Sequence, residues 1–178
     1  MMSLKSARAS LAGGAIVALA LALTACGSSG GTATQSTQPP KTGSGKPATV
    51  GVTSTSLGSA LVDAQGRTLY LFKKDSGTTS TCTGACAASW PPLIAAGAPK
   101  VGSGAKASLV GTTTRPDGTT QVTYNGHPVY TFSGDQSPGD TNGQGVVAFG
   151  AAWFAVSPSG NQVSGSASSS GTASVPGY

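Results

Sequence analysis

The stretch VGTTTRPDGTTQVTYNGHPVYTFSGD, Val110 to Asp135, decides the fold, because the chain has already written a version of it sixty residues earlier. Laid without gaps over VGVTSTSLGSALVDAQGRTLYLFKKD, Val50 to Asp75, it keeps Val50/Val110, Gly51/Gly111, Thr53/Thr113, Gly58/Gly118, Val62/Val122, Gly66/Gly126, Tyr70/Tyr130, Phe72/Phe132 and Asp75/Asp135. Trp90 and Trp153 extend the correspondence, displaced by a few residues. Self-similarity at a fixed spacing marks a repeated structural unit. Two copies of one unit therefore build the domain.

Each copy reads as an antiparallel meander of three strands. In the second copy LVGTTT runs into RPDG, where Pro116 suits the first central position of a turn. TTQVTY follows, then Asn125-Gly126, a strong hairpin signal, then HPVYTF. In the first copy Ala64-Gln65-Gly66 takes the hairpin position, and the shared Gly supplies the positive φ that such a turn needs. Side chains alternate across a strand, so Tyr70 and Phe72 share one face, as do Tyr130 and Phe132. The other face carries Leu69 and Leu71 in one copy but Val129 and Thr131 in the other, so the Tyr/Phe face is predicted to be the core. CTGACAASW, Cys82 to Trp90, predicts a short helical turn stopped by Pro91-Pro92, and WFAV, Trp153 to Val156, a closing strand. The fold class expected is mostly all-β: two tandem pseudo-symmetric meanders packed as one small domain, with repeat one over 48–100 and repeat two over 108–159.

Outside 48–159 the composition changes. Residues 26–47, including GSSGGTATQSTQPPKTGSGK, hold no aromatic or large aliphatic side chain, and 160–178 is similar, with Val163 and Val175 isolated. Segments of this kind bury too little apolar surface to offset their ordering entropy, so a flexible tether and a low-complexity tail are expected. At the start, Lys5 and Arg8 precede the uncharged run LAGGAIVALALAL, Leu11 to Leu23. That is the layout of an export signal over 1–25, too short for a comfortable membrane span. It ends in Leu23-Thr24-Ala25-Cys26, the pattern of a lipobox, which predicts acylation of Cys26 and a lipid anchor on a membrane.

Removing the signal leaves eight Lys and Arg against five Asp and no Glu. The bases Lys41, Lys46, Arg67, Lys73, Lys74, Lys100, Lys106 and Arg115 are scattered, whereas nucleic acid calls for a patch, so no nucleic-acid partner is expected. Cys82 and Cys86 remain as an even pair in an exported chain, which predicts a disulfide.

The lipobox, Tyr70-Leu71-Phe72-Lys73-Lys74-Asp75, Tyr130-Thr131-Phe132-Ser133-Gly134-Asp135 and CTGACAASWPPL with the later Trp153 together resemble a bacterial family of predicted lipoproteins. That family carries a Y-x-(F/W/Y)-x-x-D motif and is also described as a secreted repeat of unknown function. The resemblance implies an architecture and an extracytoplasmic address, and no activity.

Candidate chemistry is sparse. Cys82, Cys86 and the single His, His127, form an alternative soft-metal set, with copper, iron or haem handling or electron transfer as the activity, because thiolates suit Cu(I) and imidazole suits Cu(II). Against it, the second copy has no Cys, and Arg67 stands where His127 stands. Asp140-Thr141-Asn142-Gly143-Gln144-Gly145 lacks the third ligand and closing Glu of a calcium loop and reads as a turn. With no Glu, no phosphate loop and no nucleophile elbow, no catalytic residue is assigned, and an envelope hydrolase stands as a further alternative. The leading expectation is a non-catalytic binding or structural module without a cofactor. Its partners would be the membrane, through the lipid, and an envelope protein, glycan or small ligand.

Overall fold

The computed structural model describes residues 45–165. The export signal, Cys26, most of the tether and the tail beyond residue 165 lie outside the described residues. The strands are β1 (Thr49–Thr55), β2 (Gly58–Val62) and β3 (Tyr70–Phe72), then, after helix α1 (Ala85–Ser89), β4 (Lys100–Val101), β5 (Val110–Thr114), β6 (Thr120–Tyr124), β7 (His127–Pro128), β8 (Val147–Ala148) and β9 (Ala151–Ala155). They form three small sheets, ordered β2-β1-β4, β3-β9-β8 and β5-β6-β7. The mostly-β expectation holds, as does the helical turn before Pro91-Pro92. The pairings are antiparallel except for β1 with β4, which run parallel.

The turns form where the sequence places them. Asp63 closes the first: its Oδ1 accepts from the Gln65 and Arg67 amides at 2.9 and 3.0 Å, and the Arg67 guanidinium reaches Oδ2. Asn125 and Gly126, with φ of 50° and 77°, make the two-residue turn between β6 and β7, as the hairpin signal predicts.

Within the one domain the two copies exchange strand partners. The last strand of the second copy, β9, pairs with β3 of the first, Phe72 opposite Trp153 and Tyr70 opposite Ala155. In return the first copy's segment after α1 lies along the second copy: the Leu93 amide donates to Val129 O, Val122 to Leu93 O and Ala95 to Thr120 O. The same pattern recurs with the copies swapped, Val156 donating to Leu69 O and Leu61 to Val156 O. Tyr70 and Tyr130 mark the local twofold, because each donates its amide to the other's carbonyl, at 2.8 and 3.0 Å. Each copy is closed by the other, which makes the pair the folding unit.

That exchange corrects the one-faced core. Tyr70, Phe72, Tyr130, Trp90, Trp153 and the two cysteines form one buried cluster, as the Tyr/Phe reading requires. Leu69, Leu71 and Val129 lie in a second cluster with Val50, Leu61, Val122 and Tyr124, and Thr131 is buried as well. Residues of the other two sheets thus cover the second face, and a strand covered on both faces does not show the polar alternation of a half-solvated sheet. The chain past 159 also differs from a free tail: Val163 donates its amide to Ala155 O at 2.7 Å, and Gln144 Nε2 reaches the carbonyls of Val163 and Gly165.

Candidate functional site

The motif residues converge across the local twofold. Tyr70 OH donates to Asp135 Oδ2 at 2.7 Å, and Tyr130 OH donates to Asp75 Oδ2 at 2.6 Å. The Tyr of each copy thus bonds the Asp of the other. Each carboxylate also gathers the loop that follows it: Asp75 Oδ1 accepts from the Thr81 amide and hydroxyl, and Asp135 Oδ1 from the Asn142 amide. The aromatic members form a four-ring stack in the order Phe72, Trp153, Trp90, Phe132, with centroid separations of 4.1, 4.0 and 4.2 Å. Tyr70 and Tyr130 meet Trp90 and Trp153 edge-on. Phe and Trp come from opposite copies at each end of the stack, so this core forms only when the two copies pair.

The two halves differ around the hydroxyls. Tyr70 OH accepts from the Gly143 amide at 3.3 Å, and a Cβ at Gly143 would lie 2.8 Å from the Tyr70 ring and 2.9 Å from Trp90. Only a glycine lets the loop approach so closely. On the other side Tyr130 OH is 2.7 Å from Ser80 Oγ, and buried Arg115 donates to Ser80 Oγ, Gln121 Oε1 and Cys82 O. The single Tyr130 proton goes to Asp75, so Ser80 must donate to Tyr130. The donors then run in one direction, Arg115 to Ser80 to Tyr130 to Asp75, and bonds so aligned polarise one another. The buried cation thus reaches the Asp75 carboxylate through two hydroxyls, and it also pairs directly with exposed Asp117 at 3.7 Å. Burial, and then the neighbouring Asp, pushes both tyrosine hydroxyls well above the ordinary tyrosine range. Burial also raises Asp135, against the opposing Tyr70 hydrogen bond.

Tyr70→Phe and Tyr130→Phe should each destabilise the fold by roughly 1–3 kcal/mol in urea denaturation, because each leaves a carboxylate short of its donor. Tyr130→Phe should cost more, since it also strands Ser80 and weakens the hold on Arg115. Equal costs would mean that the Arg115 chain adds nothing.

Cys82 and Cys86 form a disulfide, with Cα atoms 5.2 Å apart, at the start of α1 and against the aromatic cluster. His127 is half-buried on β7, in a surface cleft with Lys73, Asp75, Asn161 and Gln162. The structure therefore does not gather Cys82, Cys86 and His127 as the alternative metal set requires, and among the described residues no group of three or more His, Cys, Asp or Glu side chains is placed to hold a metal. Asp140 caps its own loop, accepting from the Gln136 and Ser137 amides. Sequence reasoning missed Arg115, Ser80, Gln121 and Gly143. Arg115 read as one of several scattered cations, and nothing beside the RPDG turn signals its burial.

A β module in which each copy closes the other, with its repeated Tyr, Phe and Asp meeting where the copies join, is the class this geometry defines. The sequence model of a family described as a secreted repeat of unknown function matches residues 51–94 and again 111–157, together half of the chain, and the protein belongs to that family. Each matched stretch runs through the closing segment that pairs with the opposite copy. Neither the curated proteins nor the solved structures yielded a match. Membership places the protein outside the cytoplasm, and among the described residues no helix is long and apolar enough to cross a membrane.

Proposed function

We propose that the protein is a lipid-tethered, non-catalytic module of the bacterial envelope, and that its repeated Tyr-x-Phe-x-x-Asp signature is the frame of the module and not a reactive centre. The observation that carries this reading is the reciprocal pairing of Tyr70 with Asp135 and Tyr130 with Asp75, which engages the hydroxyls and carboxylates of both motifs, with Tyr70, Tyr130 and Asp135 buried and Asp75 half-buried. A general acid or base must reach a substrate proton. Groups already hydrogen-bonded to each other serve stability better than proton transfer. Binding of an envelope protein, glycan or small ligand then falls to surfaces outside the motif. One is a cleft of about 440 Å³ lined by Lys46, Lys100, Leu93, Ile94 and Asp63, whose carboxylate is already paired with Arg67. Two lysines beside apolar side chains suit an anionic group on a partly apolar ligand.

Acylation at Cys26 accounts for the lipobox and for the Gly- and Ser-rich segment before the fold. Metabolic labelling with palmitate and fractionation of cells should find the label on the wild-type chain in the membrane fraction. Cys26→Ala should lose the label and release the chain; an unlabelled wild type would remove the tether from the proposal. Stoichiometric uptake of copper, iron or haem by the oxidised chain would favour the metal-handling alternative, and loss of wall-polymer hydrolysis on changing His127 would favour the hydrolase.

A further inference from the structure

The β8–β9 hairpin is turned by Phe149-Gly150, with φ of 55° and 92°. Positive φ at both positions is the two-residue hairpin geometry that favours Asn-Gly, and the β6–β7 hairpin of this same chain uses Asn125-Gly126 at 50° and 77°. Asn125 and Phe149 are the two non-glycine residues at positive φ among the described residues. Asn tolerates the left-handed region through its short polar side chain, whereas a bulky Phe is strained there. A strained residue persists where something other than local stability retains it. Packing does not retain this one: Phe149 is 41% exposed, and Val147 beside it is 76% exposed.

One cation reaches the tip, and a second residue with a cationic side chain is bonded through its backbone at the base of the hairpin. Lys74 Nζ donates to the Phe149 carbonyl at 3.4 Å and lies 3.6 Å from where a Gly150 Cβ would stand, and Lys73 bonds its amide to Ala152 O at the base of the hairpin. Both lysines are exposed, and neither forms an ion pair among the described residues. The nearest carboxylate in sequence, Asp75, is taken by Tyr130 and Thr81. The other copy carries Ser133 and Gly134 in place of the lysines. The two lysines therefore belong to the first copy alone.

We propose that the Phe149 hairpin, with Lys73 and Lys74, is a membrane-docking tip that inserts into an anionic lipid surface and orients the module on it. A protein interface needs about 800 Å² on each side, far more than one Phe and one Val present. A bilayer needs only a protruding apolar tip with cations at headgroup depth, each worth about a fivefold gain in binding. The inference rests on the membrane-tethered reading for the nearness of the bilayer.

The test uses the full chain bound to vesicles, with Phe149→Trp as a local probe, since Trp90 and Trp153 are buried. In phosphatidylglycerol vesicles the added emission should shift to the blue and be quenched roughly twofold by brominated acyl chains. In phosphatidylcholine it should not. Lys73→Gln and Lys74→Gln should each lower the inserted fraction about fivefold. Phe149→Asn should raise the melting temperature of the chain, because Asn relieves the strained turn. Probe emission unchanged on vesicles that carry the chain down in sedimentation would overturn the proposal, as would a lower melting temperature for Phe149→Asn. A photo-crosslinker placed at 149 in cells should label lipid; an adduct at twice the chain mass, or one with another protein, would assign the tip to a second copy or a protein partner instead. These readouts sit at residue 149 and do not depend on acylation, so failure of the tether alone is seen separately in the Cys26→Ala fractionation.

Discussion

Trp153→Ala should destabilise the module by about 3–5 kcal/mol, a large share of the stability of a domain this size. Trp153 is fully buried and sits between Phe72 and Trp90 at 4.1 and 4.0 Å, with Tyr130 edge-on at 5.2 Å. Truncation removes ring contacts on both sides and leaves a cavity at the junction of the copies, where β9 must stay paired with β3 for the first copy to be closed. Trp153 Nε1 has no hydrogen-bond partner, so Trp153→Phe loses packing volume and no polar contact and should cost much less. Trp90→Ala should resemble Trp153→Ala, because Trp90 occupies the equivalent place against Phe132. The double variant should fall short of the sum, since stacked neighbours share the interaction that each single change removes. Urea midpoints read all four. A cost below about 1 kcal/mol for Trp153→Ala would mean that the stack does not hold the copies together.

What the sequence showed and what it hid divide along a physical line. Periodicity of two assigns faces, and a repeat assigns equivalence, so Tyr70 with Phe72, Tyr130 with Phe132, the turns at Gly66 and Gly126 and the closing strand at Trp153 were all legible. Neither property says which strand is the neighbour. The exchange of β9 and of Pro91–Ala95 was therefore hidden, and with it the burial of Leu69, Leu71 and Thr131 on the face that looked half polar. The Tyr–Asp bonds were hidden for the same reason: aligning the copies places Tyr70 on Tyr130 and Asp75 on Asp135, but the contacts run from Tyr70 to Asp135 and from Tyr130 to Asp75. Phe149-Gly150 lacks the composition of a turn, so the hairpin that departs most from local preference was also the least visible.

Alkaline pH should unfold the module steeply. Tyr70 and Tyr130 are pushed above the ordinary tyrosine range by burial and by Asp135 and Asp75, so the folded state keeps both protons after the unfolded chain, titrating near 10, has lost them. A raised folded pKa contributes stability that is complete below the unfolded value and disappears as pH climbs toward the folded one. With two protons held by the folded state and released on unfolding, the free energy of unfolding should fall by about 2.7 kcal/mol per pH unit above pH ~10 from this pair. Asp135, also raised by burial, has the same sign in acid: its contribution is complete below the usual carboxylate range and is lost as pH rises through its folded value. Exposed Asp117, lowered by its hydrogen bonds from Thr119, acts in the opposite sense there. The acid side thus carries opposing contributions, while the two tyrosines add. Urea denaturation from pH 8 to 11 should show the slope, and the phenolate absorbance of Tyr70 and Tyr130, read as the difference between the wild-type chain and its Phe variants, should rise together with unfolding and not before it. Tyr70→Phe and Tyr130→Phe should each halve the slope as well as lower the midpoint. Phenolate absorbance from Tyr70 and Tyr130 appearing in a still-folded chain would place their hydroxyls in contact with solvent and reopen the motif as a surface.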